Sequence, residues 1–413
     1  MRSPVNIALT LTLLLAAAAC RPAAEPPEEG QPATASADGA ASSSTGNGMA
    51  APADDLQREA LRTYADIVHL AYADSLAAAR DLTRAIDAFL ATPDAASLDQ
   101  ARRAWIAGDS RYSRTEVFRF YDGPIDAPET GPEGRINSWP LDEAYLDYVE
   151  GQPEAGLVNA TTEHPDLTAE LLVRLNTQGA ETHISTGWHA IEFLLWGQDQ
   201  RAEGPGDRLV TDYVVGQGAG AERRRQLLKL LATQLEADLA IPVRAWDPAV
   251  AANYRAAYLS LPPQEALGKV LTGMGSLSGA ELAGERLTVP FSTQEQEEEI
   301  NCFSDTTVAA LVGDQEGIAN VWRGAFGDVD GPGVDDLLRA DGHADLASRL
   351  DAAVATAQDA LGAIPAPFDQ AILGAPGSRG ALAIEAALAA LDQQTDLLGQ
   401  AATALGVQVQ QAD

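Results

Sequence analysis

The chain is 413 residues long, enough for two domains of ordinary size, and 46% of it is hydrophobic, enough for real cores. Its 60 Asp and Glu against 27 Lys and Arg leave a formal charge of −33, which excludes nucleic acid as a partner because no basic stripe is available to neutralise phosphates. The same charge suits cation handling and, equally, a merely solubilising surface. Ala-rich stretches, two lysines in all (Lys229 and Lys269) and few β-branched runs favour helices over sheets, so the expected fold is all-α.

At the N-terminus, Arg2 precedes an apolar stretch from Ile7 to Ala19, too short for a comfortable membrane span, which ends in Ala17-Ala18-Ala19-Cys20. This resembles a bacterial lipoprotein signal peptide, and the resemblance implies that Cys20 becomes the lipidated first residue of an exported chain. The alternative is an ordinary secretory signal. With Cys20 lipidated, Cys302 has no partner for a disulfide and reads as a small buried hydrophobe. From Arg21 to about Ala53 the composition is Pro, Ala, Gly, Ser, Thr and Glu, which cannot bury enough surface to fold, so a flexible tether is expected.

Order is expected from Asp54-Asp55, an N-cap for the pattern Leu56, Leu61, Tyr64, Ile67, Val68 and Tyr72. Further helices read from Ala95 to Phe118, Leu167 to Thr177, Thr186 to Trp196, Glu222 to Leu239, Pro263 to Leu287, Glu299 to Val312, Ala344 to Leu361 and Gly380 to Ala404. Two irregular zones, Tyr121 to Trp139 and Gly197 to Gly220, are of the length that marks functional or interdomain segments. The expected organisation is a signal peptide (1–19), a tether (20–54), a first helical bundle (55–245) and a second (246–413).

Within this frame His189-Ala-Ile-Glu192 stands out. At about 100° per residue, side chains three apart lie roughly 60° apart on a helical wheel, so an imidazole and a carboxylate share one face of an otherwise oily helix. A buried, unpaired Glu192 is costly, and a metal, an arginine or a proton must compensate it. The order is not the His-Glu-x-x-His of zinc proteases. Elsewhere, Tyr112, Thr115, Glu116 and Arg119 recur at helical spacing, and Glu281 and Glu285, at i, i+4, offer two carboxylates on one face beside Arg286. Asp142, in Asn137-Ser-Trp-Pro-Leu-Asp-Glu143, reads as a helix cap. His189, Glu192, Glu116 and one of Glu281 or Glu285 would form a mixed nitrogen and oxygen site suited to iron, zinc or manganese.

Taken together these words resemble the imelysin family, within it the branch that contains iron-regulated protein A. Gly187-Trp-His-Ala-Ile-Glu192 matches the family's Gly-x-His-x-x-Glu motif. The similarity runs through Tyr112 to Phe120, Gly123 to Asp126, Asn137 to Asp142, Glu281 to Arg286, Cys302 to Asp305 and Gly317 to Trp322. The resemblance implies two four-helix bundles side by side, with the motif at the cleft between them. It also implies an exported protein, often a lipoprotein on the periplasmic face of the outer membrane, working with iron-transport components. It puts His189 and Glu192 in the site, with Glu116, Asp142, Glu281, Glu285 and Arg286 as wall residues; donor chemistry makes His189, Glu192, Glu116 and Glu281 the candidate metal set, with Trp188 on the cleft wall. Two departures stand out: Ile300 and Val308 replace histidines of that branch, and Asp109 stands where an arginine is expected. With His69, His164, His183 and His343 as the other histidines, a multi-histidine site is not expected.

Three functions remain. The first is a membrane-tethered protein that captures iron, or an iron complex, for uptake. The second is a zinc peptidase, which some members of the family are classed as, with Glu192 or Glu116 as general base. The third is a metal-free binding module in which Trp188, Trp196 and Arg286 line a pocket for an organic ligand.

Overall fold

The structure is a computed structural model that describes residues 52–201 and 204–409. Cys20, the signal peptide and most of the tether lie outside the described residues. Among the described residues the fold is all-α apart from a two-stranded antiparallel hairpin, Ala325–Phe326 with Val329–Asp330. Eight helices build the body: α1 (Pro52–Ala91), α2 (Ala95–Ser113), α3 (Gly187–Trp196), α4 (Ala221–Trp246), α5 (Pro263–Ser276), α6 (Thr307–Arg323), α7 (Ala344–Gly362) and α8 (Arg379–Ala404). Helix α5 runs directly into a π-helical segment, Leu277–Thr288. Among the described residues, none of the helices is long and apolar enough to cross a membrane.

Packing sorts the helices into two sets. Helix α1 lies against α2 and α4, and α3 fits against α2 and α4. The second set comprises α5 with its π extension, α6, α7 and α8. The sets meet where α6 crosses α2 and where α1 touches α5, and one apolar core runs through both. The crossing is close because Gly317 on α6 has no Cβ: one built there would stand 2.6 Å from the Arg114 carbonyl oxygen.

Several boundaries differ from the sequence reading, each for a local reason. Helix α1 starts at Pro52, so Asp54 and Asp55 occupy its first turn, where their charge meets the helix dipole, and do not cap it. Helix α2 stops at Ser113, and Glu116–Phe118 form a separate 3₁₀ turn. The expected helix from Glu299 is instead a run of turns as far as Thr306, because its polar groups bond elsewhere, and α6 begins at Thr307. Helix α4 continues through Pro242 to Trp246.

Helix α3 is buried at every residue from Gly187 to Trp196, as its apolar sequence demands. Trp105 of α2 anchors it: the indole Nε1 donates to the Trp188 carbonyl oxygen (2.9 Å), and its ring meets those of Trp188 and Trp196 edge-on. The helix starts at Gly187 with φ +90°, and a Cβ there would lie 2.5 Å from the Ile136 carbonyl oxygen. Both the backbone angle and the contact exclude a side chain. Gly187→Ala should therefore cost about 2–4 kcal/mol, read as a fall in the urea midpoint. A loss under about 0.5 kcal/mol would show that the entry to α3 tolerates a Cβ.

Candidate functional site

Two buried polar clusters sit at the junction of the helix sets, and they solve the cost of desolvated charge in different ways. The first is built on Arg286, fully buried in the π segment. Its Nη1 donates to Asp314 Oδ2 of α6 (2.6 Å), its Nη2 to Glu116 Oε2 (2.5 Å) and its Nε to Glu281 Oε2 (3.3 Å). Arg119 adds a second guanidinium, donating to Glu116 Oε2 (2.7 Å) and pairing with Glu133 (3.3 Å). Burial works against the charged form of Glu116, but the two arginines outweigh it and hold its carboxyl below the usual range. Asp314 also pairs with Arg286, but burial outweighs that pairing and pushes its carboxyl up to about 8.

The π winding decides which glutamate joins. Hydrogen bonds from i to i+5 widen the turn, so Glu281 and Arg286, five apart, come together, whereas Glu285 faces solvent. The α-helical expectation of Glu281 and Glu285 on one face does not hold for that reason. Removing the arginine strands the buried Asp314 carboxyl and leaves Glu116 to Arg119 alone, so Arg286→Ala should destabilise the protein by about 3–5 kcal/mol in chemical denaturation. A cost below about 1 kcal/mol would mean that the cluster is not coupled to the core.

The second cluster lacks such a cation. His189 Nδ1 lies 3.2 Å from Glu192 Oε2, with 2% and 0% of the two residues exposed. Ser304 N–H donates to Glu192 Oε1 (2.9 Å). Asp109, one α2 turn beyond Trp105 and also buried, accepts from Asn301 Nδ2 (2.7 Å). His189 Nε2 has no partner. Burial dominates all three groups: Glu192 is raised to about 8, Asp109 to about 7, and His189 is lowered to about 4. The favourable pull between Asp109 and His189, and the bonds from Ser304 and Asn301, only soften this. At neutral pH the pair therefore holds its proton between a carboxyl and a neutral imidazole. Taking that proton away turns Glu192 into an acceptor for Nδ1–H and leaves Nε2 as a free lone pair.

The remaining expected site residues are distributed as follows. Glu116 and Glu281 are brought to Arg286, not to His189 and Glu192. Asp142 is exposed and caps the short Glu143–Leu146 helix, its carboxylate accepting from Ala144 N–H (3.0 Å). Trp188 is wholly buried, its indole Nε1 without a partner. Cys302 is a buried free thiol pushed well up by burial. Among the described residues, there is no group of three or more His, Cys, Asp or Glu side chains arranged to hold a metal ion. Sequence reasoning passed over Asn301, Ser304 and Asp314, and noticed Asp109 only as a departure from the family. Its i+4 relation to Trp105 on the face that meets α3 was the available signal.

The site is thus a histidine and carboxylate pair on a short buried helix, flanked by a third acid, in an all-helical protein of two packed helix sets. The imelysin family model matches residues 68–398, and the chain belongs to the imelysin family. It is 27% identical over 333 residues to iron-regulated protein A of Synechococcus elongatus, spanning 79% of this chain and 80% of that one. In fold it is similar to a crystal structure described as an iron-regulated protein A precursor from Parabacteroides distasonis (TM-score 0.67, 18% identity, 86% of this chain and 97% of that one). It is also similar to an imelysin-like protein from Psychrobacter arcticum (TM-score 0.63, 16% identity, 86% and 98%).

The raised carboxyls give stability a definite pH dependence. Between about pH 6.5 and 8 His189 is neutral whether the chain is folded or not, while folded Glu192, Asp109 and Asp314 keep protons that the unfolded chain has released. The folded state binds more protons, so stability falls as pH rises through this window. Below about 6.5 His189 acts with the opposite sign, since the unfolded chain takes up a proton that the folded site refuses until about 4. Glu192→Gln should flatten the decline in Tm between pH 6.5 and 8. A decline as steep as that of the wild type would place the proton elsewhere.

Proposed function

We propose that this chain is a binding protein of iron acquisition that takes an iron complex, not a bare ion, at the His189–Glu192 pair, with Asp109 close by. The observation that carries this reading is His189 Nε2, a buried nitrogen without a partner on a ring whose Nδ1 faces the Glu192 carboxyl. Two adjacent donors, one nitrogen and one oxygen, are too few to enclose a free cation. They suffice for a metal whose other positions are filled by its own chelator. Iron favours this mixed donor set, and the relative named iron-regulated protein A supports the choice of metal. Bound there, the metal would supply Lewis-acid charge against Glu192 and displace its proton. The Nδ1 contact to Glu192 would hold the imidazole in place.

In this reading Cys20 tethers the body to the envelope through its lipid, and the acidic surface draws cationic species toward it. The zinc-peptidase alternative fares less well, since a catalytic zinc needs three protein donors and an open position. Glu116, one of its candidate bases, is occupied by two arginines.

Calorimetric titration checks the reading. Ferric citrate should bind the wild-type protein, and His189→Ala and Glu192→Gln should each weaken it at least tenfold, as loss of one of two metal donors requires, with about 1.4 kcal/mol per factor of ten. Zn(II) without a chelator should bind more weakly. Ferric citrate binding that ignores both substitutions would move the ligand to another part of the molecule.

A further inference from the structure

His189, Glu192 and Asp109 are 2%, 0% and 4% exposed, so the site is shut. Residues 299–306 lie over it. They form a knot closed at its base by Thr307, whose Oγ1 accepts from Asn301 N–H (3.1 Å) and donates to Glu299 Oε2 (3.0 Å). Inside the knot Asn301 Nδ2 donates to Thr306 Oγ1 (3.2 Å), and the Ser304 and Thr306 hydroxyls share a hydrogen bond (2.7 Å). Asp305 takes φ +58°, which helps the chain reverse before α6.

The knot is itself buried, with Cys302 and Phe303 in the apolar core, and its ties to the rest of the protein can be named. Phe303 packs its ring against Phe193 (centroids 5.2 Å apart), and its carbonyl oxygen accepts from Gly206 N–H (2.9 Å). Its polar ties to the site are Ser304 N–H on Glu192 Oε1, joined there by the Ser304 hydroxyl and the Phe303 N–H, and Asn301 Nδ2 on Asp109 Oδ2. Both acceptors are carboxylates of the site itself. With Oε2 of Glu192 already facing His189, a cationic ligand can reach these oxygens only by competing with the knot.

We infer that residues 299–306 are a strap latched by the acids that receive the ligand, and that Asn301 is the positioning residue that sets how firmly the site is closed. The inference rests on the reading of Glu192 and Asp109 as the receiving groups. A ligand that takes those carboxylates frees the strap, so opening and capture are one event and the buried site needs no standing channel.

The test compares wild-type protein with Asn301→Ala by hydrogen exchange and by stopped-flow mixing with ferric citrate. Asn301→Ala should speed exchange of the amides of residues 300–305 at least about tenfold, as loss of a hydrogen bond to an ionisable group does. Amides of α7 and α8 should stay as protected as before. Ferric citrate should associate faster, since the latch is weaker. Should the alanine variant fold poorly, Asn301→Ser, too short to span to Asp109, replaces it. Unchanged exchange at residues 300–305 would overturn the strap, and so would faster exchange without faster association. Wild-type protein that fails to bind ferric citrate would sink the iron-complex reading instead, and the strap would then be judged on exchange alone.

Discussion

Desolvation of charge is the constraint around which this molecule is organised. Where the two helix sets meet, the protein buries two guanidiniums and several carboxyls together with an imidazole. Water offers each of them several kcal/mol of solvation that the interior must replace. At Arg286 ion pairing supplies most of the replacement: one guanidinium, held by the π segment, joins Asp314 of α6 and Glu116 beyond α2, so a single side chain ties together three elements from both helix sets. At His189 and Glu192 it does not. There the protein keeps the groups neutral by shifting their protons, which is the cheaper solution when no counter-ion is near.

That contrast separates structural from functional polarity. A cluster whose carboxyls already face buried guanidiniums has less reason to accept a cation. A cluster kept neutral by protons has exchangeable ones, and a cation is the natural replacement. The two are also within electrostatic reach of each other, since Arg286, Glu116 and Glu133 all bear on His189. The arginine works against protonation of the imidazole, which keeps its nitrogen available as a donor.

Both irregular segments lie at this junction. The π winding brings Glu281 round to Arg286 and turns Glu285 away. The run of turns before α6 replaces a helix because Asn301 and Ser304 find better partners in Asp109 and Glu192 than in their own backbone. In each case a tertiary hydrogen bond overrides a local preference, and the cost is accepted next to the site, where departures from regular structure are expected.

The all-α class, the extent of α2, α3, α7 and α8 to within a few residues, and the pairing of His189 with Glu192 were legible in the chain, because helical periodicity is a local property that propensity and pattern express directly. So was membership of the family, carried by words spread from Tyr112 to Trp322. The partners of Glu116 and Glu281, the exclusion of Glu285, and the place of Asp109, Asn301, Ser304 and Asp314 were not. Those depend on which residues far apart in the chain are packed together, and on a π turn that differs from an α turn by one residue per hydrogen-bonded ring. The sequence by itself determined where the helices run and which two groups share a face; only tertiary structure decided which buried charges are neutralised and which must wait for a ligand, because desolvation is a property of the packed interior and not of any segment of chain.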